Sequence, residues 1–400
     1  MNIEYTTPSL EDNIDIEDEL SIDRATTAFR ALLVEQYKRA RKMENAEGAK
    51  DFKALDHIRI GLVGGDGIGP HLMCECRRVA EFLLSEELSS GKVEFVEVEG
   101  MSIEDRRREG VAIPEAAMSA LLCCDVILKG PTETPKGGTL ESANVAMRRA
   151  LDLFANVRPV TVASEGIDWT FFRENTEGEY VLGSRGVSVG NLLSMDFKVT
   201  TAAGTRRIAR AAFEFAKNNG KKSVAIVTKA NIMKKTDGDF SRICHEVAED
   251  YPDIVAEDWY IDIMTANLVN PDIRSRFEVF VLPNLYGDII TDEAAQIQGG
   301  VGTAGSANIG DRYAMFEAIH GTAPRMIEDG TYIYANPTSL LRALAMLLRH
   351  IGKGYLATRL DTALDALASD TSPVRMTATH GGSTTTEFAD ALLDYLKRVR

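Results

Sequence analysis

The apolar run Ile58-Arg-Ile-Gly-Leu-Val63 leads without a break into Gly64-Gly-Asp-Gly-Ile-Gly-Pro70, and a helical spacing of apolar residues follows through about Leu84. Strand, tight glycine turn and helix in that order open a βα unit. Further runs of strand length stand at 93–98, 126–128, 169–173, 223–227 and 279–282, with helical spacing at 204–218, 239–250 and 338–350. That alternation predicts an α/β protein, and 400 residues are enough for two ordinary domains. The glycine turn invites a dinucleotide-binding reading, but Gly-x-Gly-x-x-Gly fails in every register, because Pro70 and Leu72 stand where the last glycine belongs. The turn is therefore expected to set chain direction.

Sixty acidic against 45 basic residues leave a net charge of −15, which repels a phosphate backbone and speaks against a nucleic-acid partner. No stretch approaches the roughly 20 apolar residues of a membrane span, and the acidic start is unlike a signal or transit peptide. The expectation is a cytoplasmic protein with no membrane partner. Five cysteines match neither a zinc spacing nor a disulfide framework and read as reduced, buried thiols. Residues 1–22 are acidic and polar and predict a mobile segment. From Asp23, a candidate N-cap, to about Met43, apolar Ala25, Phe29, Leu32, Leu33 and Tyr37 recur at helical spacing, so this helix should dock on something or meet an oligomer partner.

Four clusters carry chemistry. The run from Lys129 to Pro159 holds Ser142, Asn144, Arg148 and Arg158 after a Pro/Gly-rich loop, and Arg173 follows further on. One such arginine reads as a surface residue, whereas three beside Pro, Gly or Asn boundaries point to a site for a small polycarboxylate, since the guanidinium fork matches carboxylate geometry. The polar turn Arg173-Glu-Asn-Thr-Glu-Gly-Glu-Tyr180 ends on a phenol able to give a proton, although most such tyrosines are structural. Lys229 and Asn231 follow a strand directly, the usual ligand position in open α/β sheets, although an ordinary helix start fits as well. Finally, Asp262 precedes Asp288 and Asp292, whose i, i+4 spacing puts two hard carboxylates on one helix face; without a cation between them they repel, and Mg²⁺ or Mn²⁺ is the economical answer. Gly/Ala/Thr loops at 299–310 and 317–324 suit close approach to phosphates, with His320 and Asn336 as candidate adenine or ribose contacts.

Taken together, Gly65-Asp-Gly-Ile-Gly-Pro70, the 129–159 run, the 173–180 turn, Lys229-Ala-Asn231, Asn284-Leu-Tyr-Gly-Asp-Ile-Ile-Thr-Asp292 and the 317–324 loop resemble, in order, the isocitrate/isopropylmalate dehydrogenase family of metal-dependent β-decarboxylating dehydrogenases. The resemblance implies a two-domain, non-Rossmann α/β fold. A large cofactor-binding domain would comprise 57–153 and 299–400, and a small substrate and dimerisation domain 154–298, with a clasp-like segment near 178–201. Residues 1–56 would be an N-terminal extension that the family pattern lacks. The resemblance also implies a homodimer with active sites shared between subunits.

By motif match, Arg148, Arg158 and Arg173 would bind substrate carboxylates, and Ser142 and Asn144 would select the extra carboxylate of isocitrate, where isopropylmalate enzymes show apolar or acidic residues. Tyr180, Lys229 and Asp262 would be catalytic, with Lys229 and Asp262 reaching in from the partner subunit, and Asp262, Asp288 and Asp292 would hold Mg²⁺ or Mn²⁺. Thr134, Asn231, Glu317, His320, Gly321, Thr322, Ala323, Arg325 and Asn336 would face NAD or NADP. Arg325-Met326 matches neither the Asp of NAD-using members nor the Lys-Tyr pair of one NADP-using group, so both dinucleotides stay open. Two alternatives remain: a sister acid (3-isopropylmalate, homoisocitrate or tartrate), or a non-catalytic regulatory subunit. The presence of all the catalytic and metal candidates speaks against the second.

Overall fold

The computed structural model describes residues 16–44, 48–135, 140–183, 185–300, 302–369 and 371–399. Its strands are β1 (Ile58–Val63), β2 (Val93–Glu97), β3 (Val126–Lys129), β4 (Ala155–Val162), β5 (Ile167–Glu174), β6 (Val187–Val189), β7 (Leu193–Met195), β8 (Ser223–Thr228), β9 (Val255–Tyr260), β10 (Val279–Leu282), β11 (Gly305–Ile309) and β12 (Ala314–Ala318). All but the β6-β7 hairpin form one sheet in the order β2-β1-β3-β12-β11-β4-β5-β10-β8-β9. The expected α/β alternation is present, and six strands recognised in the sequence fall within two residues of their observed ends.

Pairing is parallel in two wings, β2-β1-β3-β12 and β5-β10-β8-β9, and antiparallel at the three steps β12-β11, β11-β4 and β4-β5. Three reversals leave the wings running in opposite directions, so their strand C-termini lie at opposite edges. Helices cover both faces. In the helix Thr338–His350, Leu340, Leu341, Leu344, Leu347 and Leu348 form one buried stripe on the first wing, and each such leucine contributes ~1.5–3 kcal/mol on burial. The first wing's apolar clusters draw on residues 52–153 and 307–396, and the second wing's on 154–294 with Ile309 packed beside them.

The glycine turn does more than redirect the chain. Gly65 (φ 76°) and Gly67 (φ 58°) sit in the left-handed region, and a Cβ would lie 2.1 Å from the Pro131 carbonyl oxygen or 2.0 Å from that of Thr322. Between them, buried Asp66 accepts from the Ile103 and Glu133 amides at 2.6 and 2.7 Å and from Arg106 Nη2 at 3.1 Å. Two loops bearing candidate site residues, near 131–134 and 320–323, are thereby fastened to the first βα unit.

Several expectations need correction. The first helix is Ile16–Glu44, so Asp23 is internal rather than an N-cap; Glu17, Asp18 and Glu19 supply the negative charge that favours an earlier start. Residues 16–22 of the segment expected to be mobile are therefore helical, while 1–15 lie outside the described residues. The helix does dock, on β6 and on the helix Ala202–Asn218, with Phe29 against Phe197 at 4.8 Å, yet Leu33 and Tyr37 stay exposed. Gly305–Ile309, read as part of a phosphate-approaching loop, is buried strand. Of the free cysteines, Cys76, Cys124 and Cys244 are buried, but Cys74 and Cys123 are exposed. Among the described residues no helix is long and apolar enough to cross a membrane.

Candidate active site

The antiparallel centre of the sheet carries a polar stripe. Register pairs Lys129 with Glu317, Glu317 with Ser306, Asn308 with Asn156, and Asn156 with Arg173. Since side chains alternate with a period of two, Arg158 joins Asn156 on the same face. Glu317 is almost fully buried between Lys129 Nζ and Arg148 Nη2, each at 3.0 Å, and accepts from Asn308 Nδ2 at 2.7 Å. Burial works to raise its pKa, but the two cations outweigh it and hold the carboxyl well below the usual range. The Lys129 pKa is lowered as well, by burial first, against the pull of Glu317.

Arg158 and Arg173 meet the helix Asn284–Ile297. Arg158 Nη1 donates to Thr291 Oγ1 at 2.7 Å and to Asp292 Oδ1 at 2.8 Å. Arg173 donates through Nε and Nη2 to Asn284 Oδ1 at 3.0 and 2.6 Å, and through Nη1 to Asp288. Burial and the charge of Arg148 lower the Arg173 pKa to about 10, which leaves it cationic near neutrality. Tyr180 stacks beside Arg173, 5.4 Å from guanidinium carbon to ring centre, and donates to Asp288 Oδ2 at 2.8 Å. Burial, then the Asp288 hydrogen bond, push the phenol up to about 12, so it holds its proton. For Asp288, burial acts upward, but Arg173 and the phenol prevail and hold it below the ordinary range.

Four cations (Lys129, Arg148, Arg158, Arg173) thus face three carboxylates (Glu317, Asp288, Asp292). The Nε–H groups of Arg148 and Arg158 are buried without a partner. An unmet buried donor costs about 1–3 kcal/mol, a cost that an arriving carboxylate cancels. Nearby, Thr132 Oγ1 donates to Asn144 Oδ1 at 2.8 Å and Thr134 Oγ1 to Ser142 Oγ at 3.2 Å, which ties Ser142 and Asn144 to the loop after β3.

The family model for isocitrate/isopropylmalate dehydrogenase matches residues 59–392. The chain belongs to this dehydrogenase family. It is 40% identical over 314 residues to an isocitrate dehydrogenase (NADP) of Rickettsia prowazekii, covering 76% of this chain and 62% of that protein. It is 38% identical over 325 residues to the probable isocitrate dehydrogenase (NAD) subunit alpha, mitochondrial, of Caenorhabditis elegans, covering 79% and 87%. The chain thus spans less than two thirds of the length of the Rickettsia relative. Among solved structures, isocitrate dehydrogenase from Methylococcus capsulatus superposes with a TM-score of 0.75 at 34% identity, over 85% of this chain and 99% of that one.

Within this dehydrogenase fold, the remaining candidates fall into two groups. Lys229 Nζ pairs with Asp262 Oδ1 at 2.7 Å, and this hydrogen bond holds the Asp262 carboxyl below the usual range. Among the described residues no ion pair joins the couple to the arginine network, and Asn231 is exposed. His320 Nδ1–H donates to the Gly321 carbonyl, 3.0 Å away, while its Nε2 is buried without a partner. Burial lowers the His320 pKa, favouring the neutral ring with Nδ1–H donating and Nε2 free to accept. Gly321 has open space, Ala323 is strained at φ 48°, Arg325 is exposed, the Thr322 carbonyl is taken by the Ile68 amide, and Asn336 caps the following helix at the Thr338 amide. This loop, with an unsatisfied ring nitrogen, fits the adenine end of a dinucleotide. Asp288 and Asp292 fit one side of a hard divalent cation, although no group of three potential ligands assembles among the described residues.

One correction follows. The repulsion argument for a metal fails as stated, because Arg158 and Arg173 already compensate Asp288 and Asp292. Glu317, expected toward the dinucleotide, pairs with Lys129 and Arg148. The sequence reading also missed Lys129, Asn284 and Thr291. Lys129 looked like the end of an apolar run, and Asn284 and Thr291 flank the aspartates on their own helix, at positions a closer helical count would have flagged.

Proposed function

We propose that the protein oxidises and decarboxylates isocitrate to 2-oxoglutarate, with NAD or NADP and Mg²⁺ or Mn²⁺. The arginine trio carries this reading: three guanidinium groups act on the Asp288 carboxylate that holds the Tyr180 phenol, and two of them, with unmet buried donors, suit a substrate with several carboxylates. Ser142 and Asn144, both neutral and polar, favour isocitrate over an alkyl-bearing acid. When bound, the nicotinamide supplies the hydride acceptor and the divalent cation, held by Asp288 and Asp292, a Lewis acid. The residues of the chain do the rest. Arg148, Arg158 and Arg173 bind and orient the carboxylates, and the Lys229–Asp262 couple takes the hydroxyl proton as the C2–H leaves as hydride. The resulting β-keto acid loses CO₂, and Tyr180 returns a proton to the carbon that lost it.

A homodimer with shared sites fits this reading, because among the described residues no ion pair joins the Lys229–Asp262 couple to the arginine network. Exposed Leu192, Leu193 and Met195 on the β6-β7 hairpin suit a subunit contact. Partition of the apolar clusters supports the division into 57–153 with 299–400 and 154–298. The test is purified protein with isocitrate and Mn²⁺, reading reduced dinucleotide from NAD and from NADP separately; absence of turnover with both overturns the proposal.

A further inference from the structure

The helix Ile16–Glu44 lies outside the 59–392 segment matched by the family model, yet one of its side chains reaches the segment between Arg173 and Tyr180. Arg39 Nη1 pairs with Glu177 Oε1 at 3.2 Å, and Nη2 donates to Thr176 Oγ1 at 3.4 Å. The Glu177 side chain is 3% exposed and that of Arg39 22%, so the pair is screened little by solvent.

Glu177 stands three residues from a second buried acid, Glu174. Glu174 is met by neutral donors, the amides of Thr176 and Glu177 and the Thr176 hydroxyl. Glu177 accepts from the Thr201 amide at 2.8 Å and its hydroxyl at 2.5 Å, and packs against Gly204 so closely that a Cβ there would lie 2.5 Å from its carboxylate. Arg207 touches Thr176 Oγ1 but is held by Asp152. Among the described residues, Arg39 makes the one ion pair to either acid.

The same segment fixes the site. The Glu177 carbonyl accepts Asn284 Nδ2 at 3.0 Å, and Asn284 in turn holds Arg173 through two hydrogen bonds. Gly178, at φ 72°, packs on Asn284. We propose that Arg39 is a positioning residue for the active site: by compensating Glu177 it fixes residues 174–180, whose two ends carry Arg173 and Tyr180. The N-terminal helix is then a brace added to the family fold. The catalytic half of this inference rests on the roles proposed above for Arg173 and Tyr180.

A plain tether would behave differently, and the helix offers a control. Glu35 pairs with Arg185 at 2.6 and 3.0 Å on an exposed surface and holds the helix without touching 174–177. The experiment compares full-length Arg39→Met, Arg39→Lys and Glu35→Gln by amide hydrogen exchange across 174–180 without substrate, and by kcat and KM for isocitrate. In Arg39→Met, exchange should rise and kcat/KM fall, each by about tenfold or more, as expected when a buried charge loses its partner. Arg39→Lys should recover most of both, and Glu35→Gln should match wild type. Unchanged exchange in Arg39→Met overturns the inference, as does raised exchange with wild-type kcat/KM, or equal losses in Glu35→Gln. A wild-type protein inactive on isocitrate would sink the functional reading, while the exchange comparison still decides the brace.

Discussion

Replacing Tyr180 with Phe isolates the proton transfer proposed for its phenol. The ring stays on Arg173, so the cation–π contact, worth ~0.5–2 kcal/mol, is kept. What is lost is the hydroxyl's 2.8 Å hydrogen bond to Asp288, worth ~1.5–3 kcal/mol as a bond to a charged group. Asp288 keeps its partners Arg173 and, at 4.0 Å, Arg158, so no unpaired charge is created and the melting temperature should fall by only a few degrees. Removing a positioned acid, by contrast, lowers turnover ~10²–10⁴-fold, or about 3–5 kcal/mol of barrier. Steady-state kinetics should therefore give kcat down at least about 100-fold with KM within about threefold, since the arginines proposed to bind the substrate carboxylates are untouched. With its pKa pushed up to about 12, the wild-type phenol should impose no loss of kcat on the alkaline side below about pH 10. A variant with kcat within about threefold of wild type, or a loss carried by KM alone, would refute the assignment.

Three further outcomes are expected. Glu317→Gln leaves Lys129 and Arg148 buried without their carboxylate and should cost ~3–5 kcal/mol in urea unfolding at neutral pH. Because the folded-state pKa of Glu317 lies below 4.5, its contribution is present above that pH and fades below it, so the gap between wild type and variant should narrow in acid. His350, half-buried against Phe52 and Phe316, is lowered by desolvation to about 4; its contribution is present above pH 6.5 and lost as the pH falls toward 4, so His350→Phe should flatten that acid loss by about 3 kcal/mol in pH-dependent unfolding. Gly67→Ala drives a Cβ into the Thr322 carbonyl from a left-handed backbone and should lower stability by ~1–3 kcal/mol in thermal unfolding and weaken dinucleotide binding by calorimetry.

Much of the fold was legible because its parallel wings are continuous apolar runs closed by turn residues; Ile58–Val63 and Val279–Leu282 match their predicted ends. The antiparallel centre was not, because β4 is broken by Arg158 and Pro159, and β11 and β12 are rich in small and polar residues. Those same polar residues build the stripe, so the part of the sheet hardest to read as strand is the part that holds the site. Arg148, Arg158, Arg173 and Tyr180 stand out as candidates from motif and chemistry, and the structure joins Arg158, Arg173, Tyr180, Asp288 and Asp292 in one network. The partners Lys129, Asn284 and Arg39 act across 111 to 188 residues of chain, a separation that local patterning does not reveal. Strand register likewise sets Glu317 beside Lys129, a pairing its local motif does not show.

The measurement that bears most directly on the central claim is kcat/KM for isocitrate against 3-isopropylmalate, with Mn²⁺ and each dinucleotide. The arginine trio, with Ser142 and Asn144 as neutral partners for a further carboxylate, predicts a preference for isocitrate of about 100-fold or more, since a site built of buried donors rejects an analogue that leaves them unpaired. Equal use of the two acids, or a preference for 3-isopropylmalate, would contradict it.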